Sequence, residues 1–108
     1  MIYKIIWSTS FFDELSAIYQ YISFQLHEPL VAKNLFELIT SKINSLSYFP
    51  ERNPILFKNT GIVLRKLRVK NYLIVYQVNH FSKQVIILHI FHRQAKLYSF
   101  ILILWRFI

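Results

Sequence analysis

Cysteine is absent from this 108-residue chain, and glycine occurs only once. The absence of cysteine excludes disulfide bonds, thiolate metal sites and cysteine nucleophiles, and it is typical of a reducing compartment. One glycine and three prolines also exclude flexible low-complexity segments, in which these residues accumulate. Apolar residues are abundant instead, at 55% of the chain, with 18% aromatic. A chain of this size and composition can bury a core, so we expect one compact domain.

Acidic residues are missing from the second half of the chain. Residues 52–108 contain ten lysines and arginines and no acid, whereas residues 1–51 contain three bases and all five acids. A segment with a net charge of +10 cannot neutralise itself, so its field attracts a polyanion or an acidic protein. We favour a nucleic acid as the partner over a purely solubilising role, because solubilising charge is normally of mixed sign.

The N-terminal segment MIYKIIWSTSFFDEL lacks the pattern of a secretion signal. Only a three-residue apolar run follows its lysine, which is too short for the apolar region of a signal peptide. The apolar segment at residues 98–108 is likewise too short for a membrane span, which needs about 20 residues. We therefore expect a cytoplasmic protein without a membrane partner.

Helical periodicity dominates the first half. A β-branched and aromatic run at residues 2–7 predicts a strand. A helix that Ser8 or Ser10 can cap follows it and ends near residue 27. Its apolar positions recur at helical spacing: Leu15, Ile18, Ile22 and Leu26. Pro29 suits the first turn of a second helix with its own apolar stripe, so the two helices should form an antiparallel hairpin.

The second half has the pattern of β-structure. Residues 48–61 contain two prolines and the glycine, which predicts a loop. Three short strands are predicted after it, at residues 62–70, 71–79 and 84–91. Their short connections favour antiparallel neighbours.

The first of these strands carries most of the local positive charge. Strand alternation places Arg65, Leu67 and Val69 on the face towards the helices. The opposite face then carries a row of cations at a spacing of roughly 6 to 7 Å, close to that of successive phosphates: Lys66, Arg68 and Lys70.

Three motifs in this order resemble the RelE/ParE family of bacterial type II toxins: FPERNP, RKLRVKNYLIVYQV and IFHRQ. The resemblance covers residues 1–96 as one toxin domain and leaves residues 97–108 as an atypical apolar tail. It implies an α+β fold, in which a small antiparallel sheet carries a two-helix hairpin on one face in the order β-α-α-β-β-β. It also implies a toxin that a cognate antitoxin holds inactive.

The resemblance implies two activities. RelE-like members cleave mRNA on the ribosome without a metal or other cofactor, whereas ParE-like members poison DNA gyrase. For cleavage, the catalytic candidates are Arg68, Arg93, His92 and Tyr98. The nucleic-acid-binding candidates are Lys66, Arg68, Lys70 and Arg93. Many catalytic relatives carry an arginine at the position of Gln77 or of His89, so a gyrase inhibitor or an inactive antitoxin-binding relative is the alternative to mRNA cleavage.

Histidine and acidic residues offer further proton-transfer groups. His89 and His92 are three apart on a strand and point to opposite faces, so at most one lies among the cations, and together they cannot form a metal site. We expect Glu51, beside Arg52, to form a surface ion pair or a loop hydrogen bond.

The terminal segment LYSFILILWRFI has three interpretations. It can add a strand or helix that seals the core, or it can form an antitoxin-docking or dimer surface. It can also be the product of a shifted reading frame, which we favour because an apolar end of this kind is an aggregation hazard.

Overall fold

A computed structural model describes residues 2–93 of the chain. Two helices precede most of the sheet: α1 spans Thr9–Gln20 and is continued by a π-helical turn at Tyr21–Gln25, and α2 spans Pro29–Asn44. Two 3-10 turns follow α2, at Ser45–Ser47 and Pro50–Arg52. The strands are β1 (Lys4–Trp7), β2 (Ile55–Asn59), β3 (Ile62–Val69), β4 (Tyr72–Asn79) and β5 (Gln84–His92).

The helix boundaries follow the predicted signals. Ser8 is the cap of α1, and its hydroxyl oxygen accepts a hydrogen bond from the Phe11 N–H at 3.1 Å. Pro29 occupies the first turn of α2, where its missing N–H costs nothing. The chain reverses between the helices at His27, which has a positive φ of 53°. The predicted two-helix hairpin is confirmed. Neither helix within residues 2–93 is long and apolar enough to cross a bilayer.

The five strands are ordered β1-β5-β4-β3-β2. The predicted α+β class is confirmed, with two differences from the expected sheet. First, β1 pairs with β5 in parallel, because the helix hairpin carries the chain to β2 at the far edge of the sheet and the antiparallel strands that follow bring β5 back beside β1. Second, β2 lies inside the predicted loop: a two-residue turn at Thr60 and Gly61, where Gly61 has a φ of +77°, joins it to β3.

The core lies between the helix hairpin and one sheet face. From the helices and the turn after α2 it contains Phe11, Leu15, Ile39, Ile43 and Leu46. From the sheet it contains Leu67, Val69, Ile74, Tyr76, Val85, Ile87 and Ile90. Both helices pack on this face, as the sequence predicts. The strand side chains that do not point towards the helices lie on the opposite sheet face.

Candidate functional site

Strand β3 separates its charged residues between the two sheet faces. Leu67 and Val69 are buried in the core, and the strand pleat places Arg65 on their side. Lys66 and the exposed Arg68 therefore lie on the opposite face. The predicted assignment of these residues to the two faces agrees with the strand register.

Cross-strand register brings a histidine onto the face that carries Lys66 and Arg68. Lys66 pairs with Val75 on β4, and Val75 pairs with His89 on β5, so the three share one face. Two strand spacings put the Cα atoms of Lys66 and His89 about 10 Å apart, within the combined reach of their side chains. We call this surface, formed by Lys66, Arg68, Leu73, Val75 and His89, the cation face.

The centre of the cation face is apolar. Val75 is fully buried and Leu73 is 8% exposed, although both point away from the helix-side core. The cations therefore border a low-polarity strip, where a charge interacts more strongly with an anion than it does in open water.

Glu14 on α1 holds the histidine of the cation face. Its carboxylate oxygens lie 3.1 and 3.2 Å from Nδ1 of His89, and one of them accepts the Ile90 N–H at 3.2 Å. A carboxylate can only accept, so Nδ1–H of His89 is the donor in this pair. The side chains of His89 and Glu14 are 32% and 40% exposed, so the pair stands at the protein surface.

Lys70 is not part of the predicted cation row. Val69 pairs with Tyr72, so Lys70 and Asn71 form a two-residue turn, and Lys70 has a φ of +52°. It borders a recess with Ile22 of the helix hairpin. The predicted row of three cations is therefore wrong in this respect, because the strand ends one residue before Lys70.

The other predicted catalytic residues are His92, Arg93 and Tyr98. His92 pairs with Tyr72, with ring centroids 5.4 Å apart, and the register places both on the helix side of the sheet. Arg93 follows the end of β5, where its N–H donates to the Asn71 carbonyl at 2.6 Å. Tyr98 lies outside the described residues.

The two histidines point to opposite faces of the sheet, as predicted. The register places His89 on the face of Lys66 and Arg68, whereas the sequence analysis named His92 as the catalytic candidate. Alternation along β3, β4 and β5 could have identified His89 if the register were known. Glu14 was missed because nothing local in the sequence shows that α1 runs beside β5 at His89 and Ile90. No group of three or more acidic, histidine or cysteine side chains suited to a metal occurs within residues 2–93.

Arg65, on the helix side, organises the loop before β2. Its guanidinium donates to the carbonyl oxygens of Glu51 at 3.1 Å and Asn53 at 2.8 Å, and it lies 3.4 Å from the Glu51 carboxylate. Glu51 also lies 3.2 Å from Nε2 of His80. The expected surface ion pair of Glu51 is therefore formed with Arg65, while Arg52 binds backbone carbonyls.

Tyr76 anchors the same loop from within the core. Its hydroxyl donates to the Pro50 carbonyl at 2.6 Å and accepts from the Asn53 side-chain amide at 3.1 Å. Burial raises the pKa of Tyr76 above its ordinary value, although the Asn53 hydrogen bond and the charge of Arg65 oppose the change.

Comparison with known proteins supports a single family. A family model described as ParE toxin of the type II toxin–antitoxin system, parDE, matches residues 5–97. A search of curated proteins gave no match.

Solved structures share the fold, and three of them illustrate the similarity to this chain. A chromosomal ParDE system from P. aeruginosa matches with 19% identity and a TM-score of 0.69, over 84% of this chain and 96% of that chain. The archaeal RelE–RelB complex from Pyrococcus horikoshii OT3 matches with 19% identity and a TM-score of 0.65, over 88% and 99%. The RelBE2 toxin–antitoxin complex from Mycobacterium tuberculosis matches with 18% identity and a TM-score of 0.59, over 86% and 93%.

Proposed function

We propose that this chain, which belongs to the ParE toxin family of type II toxin–antitoxin systems, is controlled by a cognate antitoxin and that its cation face cleaves mRNA. The observation that carries the proposal is the sharing of one face by Lys66, Arg68 and His89, with Glu14 behind the histidine. The excess of positive charge in residues 52–108 supports a polyanionic substrate. The cytoplasm is the compartment in which such a substrate occurs.

The chemistry of this proposal needs a base and positive charge. Nε2 of His89 takes the proton of an RNA 2′-hydroxyl, whose oxygen attacks the adjacent phosphorus. The bond from phosphorus to the 5′-oxygen breaks, which leaves a 2′,3′-cyclic phosphate, and the 5′-oxygen takes a proton from water. Lys66 and Arg68 stabilise the charge that develops on the phosphate oxygens, and the guanidinium can hold two of them at once. Glu14 fixes the tautomer of His89 and stabilises the imidazolium that forms.

Inhibition of DNA gyrase without cleavage is the second candidate. Two observations favour it: the matching family model is that of ParE toxins, and neither Gln77 nor His89 is the arginine found in many RelE-like nucleases. In this case the cations would form a binding surface without chemistry.

Mapping of mRNA ends after incubation with translating ribosomes tests the first proposal. We expect new 3′ ends within codons, and we expect His89→Ala to reduce their rate by a factor of about 100 to 10,000, the usual size of acid–base catalysis. His92→Ala is the matched control, because His92 lies on the other sheet face, and it should cleave at the normal rate. Intact message together with arrested supercoiling by gyrase would support the second candidate instead.

A further inference from the structure

Phe49 has a strained backbone and an exposed ring. Its φ of 49° and ψ of 57° are left-handed, a conformation that non-glycine residues adopt at a cost. Its side chain is 83% exposed. Neither the backbone nor the ring is stabilised by burial at this residue, so another part of the structure must impose the conformation.

Hydrogen bonds on both sides of Phe49 impose it. The guanidinium of Arg52 donates to the Tyr48 carbonyl at 2.6 Å and to the Ser45 carbonyl at 3.1 Å. On the other side, the Tyr76 hydroxyl binds the carbonyl of the buried Pro50 at 2.6 Å. Residues held in rare conformations by such over-determined contacts occur preferentially at functional sites. The loop thus presents the Phe49 side chain to solvent from a backbone that is already fixed.

Aromatic and charged side chains surround this ring. A recess of about 570 Å³ is lined by Phe49 together with Tyr3, Tyr48, Pro50, Glu51, Arg52 and Lys83. Tyr48 is 53% exposed, and Nζ of Lys83 lies 5.5 Å from the centre of the Tyr3 ring. We call this surface, formed by Tyr3, Tyr48, Phe49 and Lys83, the Phe49 corner.

The charges of the Phe49 corner favour a protein partner over a nucleic acid. Glu51 is engaged by Arg65 and His80, and Arg52 is engaged by backbone carbonyls, so Lys83 is the cation that the corner offers. Nucleic-acid sites need several cations, whereas tyrosine and phenylalanine anchors are typical of protein interfaces.

We propose that Phe49 anchors the antitoxin: its ring enters an apolar socket on an acidic, amphipathic segment of the antitoxin, and a carboxylate of that segment pairs with Lys83. The inference rests on the proposed function, which supplies the antitoxin as partner. The preformed loop lowers the ordering cost of binding.

The Phe49 corner lies far from Arg68 of the cation face. Arg68 pairs with Leu73 near the start of β4, whereas Lys83 follows the end of β4 at Asn79. Six residues of strand separate these two ends by about 20 Å. The ring can therefore be removed without altering the surface that we propose to act on RNA.

Two substitutions separate the ring from the backbone strain. Phe49→Ala removes the ring and keeps the strain, whereas Phe49→Gly removes both. Both should bind the purified product of the gene adjacent to this one about 30-fold or more weakly, the size of an interface hot spot. Phe49→Gly should melt at the same or a higher temperature than the unsubstituted chain. Phe24→Ala, at the opposite end of the helix hairpin and 72% exposed, is the matched control and should bind normally.

Growth measurements identify the partner. Each variant is expressed from an inducible promoter, with and without the adjacent gene. We expect Phe49→Ala and Phe49→Gly to arrest growth like the unsubstituted toxin and to escape neutralisation. Normal neutralisation of the Phe49 variants would overturn the proposal. A loss of toxicity would also overturn it and would assign the ring to binding of the target. A loss of self-association would overturn it as well and would assign the ring to contact with a second copy of the chain. If the unsubstituted chain were harmless or failed to bind the adjacent product, the proposed function itself would fail.

Discussion

The carboxylate of Glu14 lies 3.1 Å from Nδ1 of His89 and joins the first helix to the last strand. The same carboxylate accepts the Ile90 N–H at 3.2 Å. Ile90 lies beyond the part of β5 that pairs with β1, since that pairing ends at Ile87. Glu14 thus binds a backbone N–H that β1 does not reach and orients a histidine at once.

Removal of Glu14 should weaken both the fold and the site. Glu14→Ala leaves the Ile90 N–H without its acceptor in a nearly buried position, so we expect a loss of about 1–3 kcal/mol in the free energy of unfolding. Glu14→Gln keeps an acceptor oxygen and should lose less. Urea unfolding measures both, and Glu37→Ala, on the exposed face of α2, should change stability little. Equal stability of Glu14→Ala and the unsubstituted chain would contradict this role.

The hydroxyl of Tyr76 should stabilise the loop before β2. Tyr76→Phe keeps the ring in the core but removes both hydrogen bonds, to Pro50 and Asn53, so we expect a loss of about 1–3 kcal/mol. Tyr72→Phe is the control, since the Tyr72 hydroxyl has no hydrogen bond within residues 2–93 and its removal should cost much less. Chemical denaturation of the two variants side by side would show whether the loss is specific to Tyr76.

Stability should fall in alkaline solution. Burial raises the pKa values of Tyr72 and Tyr76 in the folded state. The unfolded chain loses these protons from about pH 10 upward while the folded chain retains them, so the free energy of unfolding is unaffected below that pH and decreases above it. Tyr76→Phe should make the decrease shallower. Unfolding curves collected between about pH 8 and 11 would test this, and a slope that is unchanged in Tyr76→Phe would exclude Tyr76 as a cause.

Ile39 should matter more to the core than Ile22. Ile39 is fully buried between α2 and the sheet, whereas Ile22 is 7% exposed and lies outside the main core cluster. Ile39→Ala should therefore cost about 2–5 kcal/mol, and Ile22→Ala should fall near or below the lower end of that range. Thermal melting of both variants checks the order, and a larger loss for Ile22→Ala would mean that the hairpin end is packed more tightly than its burial indicates.

The sequence predicts the helices well because their signals are local. Ser8 and Pro29 mark the helix starts through groups that act within one turn, and the apolar stripe identifies the packed face. The parallel pairing of β1 with β5 is not local: it joins residues such as Lys4 and Gln84, which are far apart in the chain. Residues 48–61 have the composition of a loop, with two prolines and Gly61, so the sequence does not reveal that β2 lies within them.

The candidate site is only partly accessible from sequence for the same reason. Alternation places Lys66 and Arg68 correctly because it depends on β3 alone. Whether Lys70 belongs to the cation face depends on where the turn after β3 begins. A shift of that turn by one residue changes the answer. His89 and Glu14 require the register of β5 and the position of α1 beside it, which no local pattern contains.

Salt dependence should distinguish the two cations of the cation face from their neighbours. If Lys66 and Arg68 each contact a phosphate of single-stranded RNA, their replacement by alanine should lower the slope of log affinity against log salt by about 0.7 per residue. The loss should be similar for all RNA sequences, because phosphate contacts carry no base information. Lys70→Ala should leave the slope nearly unchanged, since the turn carries this residue to the helix side.

Arg68 and Arg65 complete the test of the face assignment. Arg68→Lys keeps the charge but loses the two-pronged geometry of the guanidinium, so it should bind RNA nearly as well and cleave it more slowly. Arg65→Ala should lower the melting temperature through its lost loop hydrogen bonds and leave the salt slope unchanged. Binding titrations at several salt concentrations, with melting curves for each variant, provide both readouts. The assignment would be reversed if Arg65→Ala lowered the salt slope of RNA binding at unchanged stability while Arg68→Ala left that slope unchanged. This result would place the RNA on the helix side of the sheet.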